Sequence, residues 1–421
     1  MLNAAQVATV HKILDMVSSV ANLTFTEVQE TAAIHATMRF GMTDAYGTAW
    51  AYPLDGTQKS GDIWFSNSAG LYDTPDLADY AFFAFLHEVL HALGLKHGHE
   101  ADGFGAMSAG RDSMEYSVMT YRSYVGAGVQ HFENEAGGYA QSLMTYDIAA
   151  LQHMYGANYS ANSGNTVYRW DKTTGQAFVN GIGQGTPSDN RVFEAVWDGG
   201  GIDTYNLSNH TSNLTVDLRP GGWSTISYDQ LAYLGHFRFA CGNIANAFLY
   251  GGDLRSLIEN ATGGSGDDRL SGNVAPNVLS GRAGADRLNG REGADTLIGG
   301  AGNDVLTGGE GADTFLFDTQ LEGKANFDRI TDFNVKDDII ALDNAVLKPF
   351  GKGITSHPRK LPKDFFTIGD HAKDANDSVI YDRKKMTLSY DADGWGPAAP
   401  VLLAELSRQV KKMTADDFWV V

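Results

Sequence analysis

The chain has 421 residues, enough for two or three domains with substantial cores. Apolar residues make up 43%, and 31 basic against 51 acidic residues leave a net charge of −20. A surface that acidic repels phosphate backbones and anionic membranes, which argues against nucleic acid as a partner and suits a protein that folds around divalent cations. The single cysteine, Cys241, rules out an intramolecular disulfide and reads, among mostly apolar neighbours, as a small core residue. No basic, apolar and small-residue leader opens the sequence, and no apolar run is long enough to span a bilayer.

Along the chain, Val7, Val10, Ile13, Leu14, Val17 and Val20 recur at helical spacing and predict one apolar helix face over residues 4–20. Strand-like segments follow at 23–28, 34–42, 48–54 and 62–66, separated by Asn, Gly, Pro and Asp. Thr74-Pro75 offers an N-cap and a first-turn proline to a strongly apolar helix running from Leu77 to about Leu93. A second apolar helix is predicted over 146–155. Beyond Gly156 the composition shifts to Gly, Asn, Ser, Thr and short β-prone runs, which places the domain boundary near residue 160.

The chemistry sits at the end of the helix that begins at Leu77, in His87-Glu-Val-Leu-His91-Ala-Leu-Gly94-Leu-Lys-His97. Residues four apart share a helix face, so His87 and His91 can offer two imidazoles to one ion. Gly94 can end the helix and turn the chain so that His97 arrives as a third ligand. Three histidines leave the fourth position of a tetrahedral zinc open for water, and Glu88 can take a proton from that water. With the methionine turn Ser117-Val-Met119-Thr-Tyr121 behind it, the set matches the metzincin pattern, in which Met119 forms a floor under the metal.

A second signal fills the carboxyl half. From Gly263 to Phe315 a nine-residue period holds without slipping, with Asp268, Asn277, Asp286, Asp295, Asp304 and Asp313 at its sixth position. Its eighth position is Leu270, Leu279, Leu288, Leu297, Leu306 and Phe315. The glycines let the backbone turn tightly and aim carbonyl oxygens inward, and the aspartates add carboxylates, a hard donor set for calcium. Gly281, Gly284 and Asp286 make one such group; Gly290, Gly293 and Asp295, Gly299, Gly302 and Asp304, and Gly311 with Asp313 make others. Asp332 and Asp338 are added as further candidates. The apolar residue of each unit faces a narrow shared core, the pattern of a calcium-binding parallel β-helix. The second unit, Asn-Val-Ala-Pro-Asn277, is degenerate and is read as a weak calcium site.

Taken together, these motifs resemble the serralysins, bacterial zinc proteases exported with glycine-rich calcium-binding (RTX) repeats. Ala21-Asn-Leu-Thr-Phe-Thr-Glu-Val, the stretch Tyr146-Asp-Ile-Ala-Ala-Leu-Gln-His-Met-Tyr-Gly-Ala-Asn158, and Trp197-Asp-Gly-Gly-Gly-Ile-Asp-Thr carry the resemblance further. It implies an α+β metzincin catalytic domain (long zinc-binding helix, twisted sheet) over 1–160. An all-β parallel β-roll of calcium-binding nonapeptide repeats and a secretion-signal region would follow over 161–421. By the same resemblance His87, His91 and His97 bind zinc, Glu88 is the base, and Tyr121 is a movable extra ligand that swings to the oxyanion. Asp198, Gly200, Gly201 and Asp203 would hold a calcium outside the main repeats, and Glu259 would join Gly264, Gly266 and Asp268 at the first repeat site. Ala49, Trp50, Ala51 and Tyr52 would form the edge strand that pairs with an extended substrate. The tail Asp417-Phe-Trp-Val-Val421 resembles an uncleaved type I secretion signal, implying an extracellular monomer from a Gram-negative bacterium. Its implied partners are protein or peptide substrates, the type I secretion apparatus and a periplasmic proteinaceous inhibitor.

Two departures stand out. The family has Pro after the third histidine where this chain has Gly98-His99, which predicts a more mobile loop and an exposed His99. The family's catalytic domain also begins several dozen residues earlier, with a propeptide and a further strand. The resulting reading is a secreted zinc endopeptidase; the alternative is a calcium-dependent extracellular binding or structural protein with a vestigial protease domain. The intact Glu88 favours the first.

Overall fold

The computed structural model describes the chain except residues 32, 46, 54, 104, 321–324 and 348–357. Leu54, the end of the strand predicted over 48–54, lies outside the described residues. The fold divides into two compact units, residues 1–201 with 220–256 and residues 202–219 with 257–421. The first unit thus runs on past residue 160. Phe193, Trp197, Ala232, Leu234, Ala240 and Ala247 are buried in the same apolar cluster as the helices, and that burial holds the intervening segments in the first unit.

In the first unit, helix α1 (Ala4–Val20) opens on a capping box between Asn3 and Gln6. Val10, Ile13, Val17 and Val20 are buried as predicted, whereas Val7 is exposed. Gln6 takes the inward position instead, its amide donating to the Tyr72 carbonyl at 2.8 Å. Strands β1 (Arg39–Thr43), β2 (Trp50–Ala51) and β3 (Asp62–Ser66) form a sheet with β3 central, parallel to β1 and antiparallel to β2. Residues 23–28 form no strand. The Leu23 amide turns back to the Ala21 carbonyl at 2.7 Å, and no ladder forms.

Helix α2 (Tyr80–Ala92) starts later than Thr74-Pro75 suggests. Ala78 lies at φ 74°, a break that helix cannot cross, and Asp79 caps the new start by accepting from the Phe82 amide at 2.7 Å. Phe82, Phe83, Phe85, Leu86, Val89 and Leu90 are all buried, with Phe85 stacked on Phe65 of β3 at 3.6 Å between ring centres. Each such side chain contributes about 1.5–3 kcal/mol on leaving water, so the apolar body of the helix fixes the polar end that carries the histidines. Helix α3 (Thr145–Tyr155) lies where predicted, its Asp147 accepting from the Met144 amide at 2.9 Å.

The second unit is β-rich, built on two sheets of mainly parallel strands. Successive repeats alternate between the sheets, so each strand pairs with the one two repeats away. Leu279, Leu297, Phe315, Ile340 and Phe418 are in register along one sheet, and Leu270, Leu288, Leu306, Ile330 and Leu406 along the other. All ten are buried.

Candidate active site and metal centres

His87, His91 and His97 converge, offering ring nitrogens within 4.8 Å of one another. The first two stand one turn apart on α2. The third arrives because Gly94, at φ 99°, lets the chain reverse and the Leu95 amide reach back to the Leu90 carbonyl at 3.0 Å. Every ring is anchored by its Nδ1: His87 to the Val118 carbonyl at 2.7 Å, His91 to the Leu95 carbonyl at 2.8 Å, and His97 to the Glu100 carboxylate at 2.9 Å. Each anchor is an acceptor, so Nδ1 carries the proton and Nε2 presents a lone pair. Nε2 of His91 and His97 stand 2.9 Å apart. With Nδ1 of both rings already donating, a cation shared between these nitrogens would satisfy them, and this is the observation by which the trio fits zinc. Burial, reinforced by neighbouring imidazoles, pushes the His87 pKa well down and that of His91 to about 4, so both are neutral ligands at pH 7.

Glu88 is buried beside His87 and lines the same cleft, of about 400 Å³, with Thr48, Ala49, Phe83, Tyr121 and Phe132. The Ala51 amide of β2 donates to its carboxylate, while Oε2 is buried with no hydrogen-bond partner among the described residues. Desolvation raises its pKa to about 8, with the Ala51 bond opposing. Of the predicted edge segment, Ala49 reaches the cleft and Ala51 holds Glu88; Trp50 stacks on Trp64, and the Tyr52 amide is bonded to Asp62 of β3. Tyr121 packs its ring 4.3 Å from His97 and 5.8 Å from His87.

Met119 is buried, its carbonyl accepting from the Gly98 amide at 3.0 Å. This explains Gly98. A proline there has no N–H for that bond, and a Cβ would meet Met107 and Asp112 at 2.8 and 2.9 Å. The loop is thus pinned rather than loosened. His99 is half-buried, not exposed: it stacks on His97 at 5.4 Å, with Nδ1 buried.

In the second unit the aspartates form two ladders. Each Oδ1 accepts the amide of the aspartate or asparagine two repeats earlier: Asp268 to Asp286 and Asp286 to Asp304 in one, Asn277 to Asp295 and Asp295 to Asp313 in the other, at 2.7–3.0 Å. The other oxygen, Oδ2, of Asp286, Asp295, Asp304 and Asp313 is buried without a hydrogen-bond partner among the described residues. Each is aimed at a bare glycine, Gly281, Gly290, Gly299 or Gly308, where a Cβ would fill the space it faces. Between turns, Gly302 lies at φ 137° with its α-carbon against the Gly284 carbonyl, and no side chain fits there. Unsatisfied carboxylate oxygens beside stacked glycine carbonyls fit calcium.

The remaining calcium calls divide. Asp268 already accepts from Leu214 and Gly264 amides at 2.8 and 2.7 Å, and Gly266 packs its α-carbon against Ser212 and Asn213. Glu259 accepts from the Asp203 amide at 2.7 Å. Asp198, with Gly200 and Gly201 in the first unit, accepts from Tyr168 and from the Gly200 amide, both at 2.7 Å. Asp332 spends both oxygens on the Gly308 and Gly309 amides, and Asp338 continues a ladder by accepting from Asp313 while its other oxygen accepts from Asn334. At the degenerate repeat, Asn277 closes its own loop: Oδ1 accepts from Asn273 and Nδ2 donates to the Glu259 carbonyl, both at 2.7 Å. Its amide hydrogens stand where a cation would be needed beside an aspartate.

Comparison with known proteins finds one family. Residues 157–350 match the family described as peptidase M10 serralysin C terminal. Metallopeptidase AprA of Pseudomonas marginalis is 33% identical over 287 residues, 66% of this chain and 56% of the relative. Serralysin of Proteus mirabilis is 32% identical over 299 residues, with the same two coverages. Metalloprotease AprA of Pseudomonas entomophila is 36% identical over 275 residues, 62% of this chain and 52% of the relative. The chain is a serralysin relative. It spans about half the length of these curated proteins.

Three supporting groups in this serralysin relative escape a motif search. Asp147, on α3, accepts from Ser117 Oγ at 2.6 Å and the Val118 amide at 2.8 Å, gripping the turn whose carbonyl orients His87. Glu100 orients His97; its spacing three residues after the last ligand is a usable signal. Asp328 accepts from the Asp304 amide at 3.1 Å and extends the other ladder after an insertion.

Proposed function

We propose that the chain is a secreted zinc-dependent endopeptidase with a metzincin-type catalytic domain and calcium-dependent repeats. The observation that carries this reading is the convergence of three Nδ1-anchored histidines beside Glu88 in one cleft. Bound by His87, His91 and His97, zinc would supply Lewis acidity toward a water and the scissile carbonyl. Glu88, fixed through Ala51 and with Oε2 available, takes the proton of the attacking water and delivers it to the leaving amine. Tyr121, beside His97 and Glu88, donates its phenol to the developing oxyanion. The short strand β2 pairs with β3 alone among the described strands, and this edge position would align an extended substrate. Asp286, Asp295, Asp304 and Asp313 would supply open carboxylate oxygens for structural calcium, while Asp198, Asp203, Glu259, Asp268 and Asp338 would join them by exchanging hydrogen bonds for the ion.

The direct test measures metal content and hydrolysis of a general protein substrate together. One zinc per chain is expected, with hydrolysis abolished by a zinc chelator in the presence of calcium and restored by zinc. Hydrolysis that survives complete zinc removal would refute the proposal.

Asp147→Asn is expected to weaken zinc about 10–100-fold, because an amide cannot accept from Ser117, Val118 and Met144 together and the His87 anchor loosens. Competition with a chromophoric chelator reads this. Unaltered affinity would leave Asp147 as a helix cap alone.

A further inference from the structure

On the first unit, strands Tyr233–Gly235 and Arg238–Phe239 pair as a hairpin whose tip is His236-Phe237. Both tip residues are left-handed, at φ 46° and 58°, a costly conformation for two successive residues with side chains. Phe237 is 94% exposed and Phe239 is 54% exposed. The strain is held from below. His236 Nε2 stands 3.0 Å from the Glu133 carboxylate, Arg238 covers the Tyr124 ring at 5.4 Å, and the Phe237 amide donates to the Tyr233 hydroxyl at 3.1 Å. Tyr233 exchanges two bonds with Glu135, its amide to Oε1 at 2.9 Å and its carbonyl from the backbone amide at 3.0 Å. A Cβ on Gly235 would meet the Glu133 side chain at 2.5 Å, so glycine is what lets the hairpin lie against that segment. Glu133 directly follows Phe132, a wall of the cleft. The fold thus spends backbone strain to hold an aromatic ring in water at the continuation of the cleft wall.

We propose that this tip is an exosite that grips an apolar segment of a protein substrate outside the residues flanking the scissile bond. The proposal rests on the endopeptidase reading. The occupant follows from continuity with the cleft: Val129–Phe132 line it, the next residue, Glu133, pairs with His236, and Phe237 is that residue's neighbour at the tip. Exposed aromatics with a neighbouring arginine are also the residue types that anchor protein partners.

Phe237→Ala tests it, since a side chain this exposed contributes little to folding. With zinc and calcium bound, kcat/KM on unfolded casein is expected to fall about tenfold, mainly through KM. Hydrolysis of a fluorogenic peptide too short to leave the cleft should not change, and Phe237→Trp should keep the casein rate. Equal losses on both substrates, or none on either, would overturn the exosite. So would a concentration-dependent rise in molar mass that Phe237→Ala abolishes, which would assign the tip to a second copy of the chain. Zinc-loaded wild-type protein that cleaves neither probe would sink the peptidase reading and this proposal with it, a result distinct from an active enzyme indifferent to Phe237.

Discussion

Glu88→Gln is expected to retain zinc and lose peptide hydrolysis by about a thousandfold or more. The substitution is isosteric and leaves His87, His91 and His97 with their anchors at Val118, Leu95 and Glu100 untouched. What it removes is the proton acceptor. Among the described residues lining the cleft, Glu88 is the one carboxylate, so no neighbour can substitute. The amide can still accept from Ala51, which keeps the β2 contact and isolates the chemical defect from a structural one. Zinc stoichiometry by atomic emission and steady-state kcat on a peptide decide the matter. A variant with wild-type turnover, zinc in place, would remove Glu88 from the mechanism.

Stripping calcium is expected to unfold the second unit at neutral and alkaline pH, and to do so less at acid pH. Asp286, Asp295, Asp304 and Asp313 bury one unpartnered oxygen each, and one apolar residue per nine cannot offset four such charges. Burial, with neighbouring aspartates adding to it, raises Asp286 and Asp295 to about 7 and Asp328 to about 8 when no cation is bound. These folded-state values exceed the ordinary carboxyl pKa near 4, so the cation-free fold holds more protons than the unfolded chain. Stability from these groups is therefore present below about pH 4 and lost as pH rises toward about 8. Circular dichroism and limited proteolysis in excess chelator should show β-structure lost at pH 8, partly kept at pH 5, and recovered in millimolar calcium. Helix α2 should keep its protection better, because apolar contacts hold it. A carboxyl unit that stays folded at pH 8 with no cation would refute the calcium reading.

How much of this could be read from the sequence depended on how local the constraint is. The histidines, Glu88 and Gly94 announce themselves because a helix and its terminator fix their spacing. The repeat aspartates do so because a parallel coil tolerates no slippage between stacked turns. Asp147 and Glu115 are different. Glu115 accepts from the Cys241 amide at 2.9 Å, and Asp147 reaches back some thirty positions to Ser117, pairings that only packing creates. Asp328 was hidden by an insertion that breaks the period, although its ladder bond is the same as in earlier turns. Asn22, which bonds the Gly156 carbonyl, shows why residues 23–28 form no strand: the chain's entry into them is claimed by a distant loop.

The ladder bonds all point one way. The Asp268 amide is received by Asp286, the Asp286 amide by Asp304, and the Asp304 amide by Asp328; Asp295 leans in the same sense on Asp313, and Asp313 on Asp338. The amide of the next residue runs the other way, Arg287 to the Asp268 carbonyl and Val305 to the Asp286 carbonyl, both at 2.8 Å. A coil so wired ties each turn to the turns on both sides of it in its sheet. A cut at either end of the coil therefore strands amides in the turns it exposes: those of the aspartates at the carboxyl side, and those of Arg287 or Val305 at the amino side.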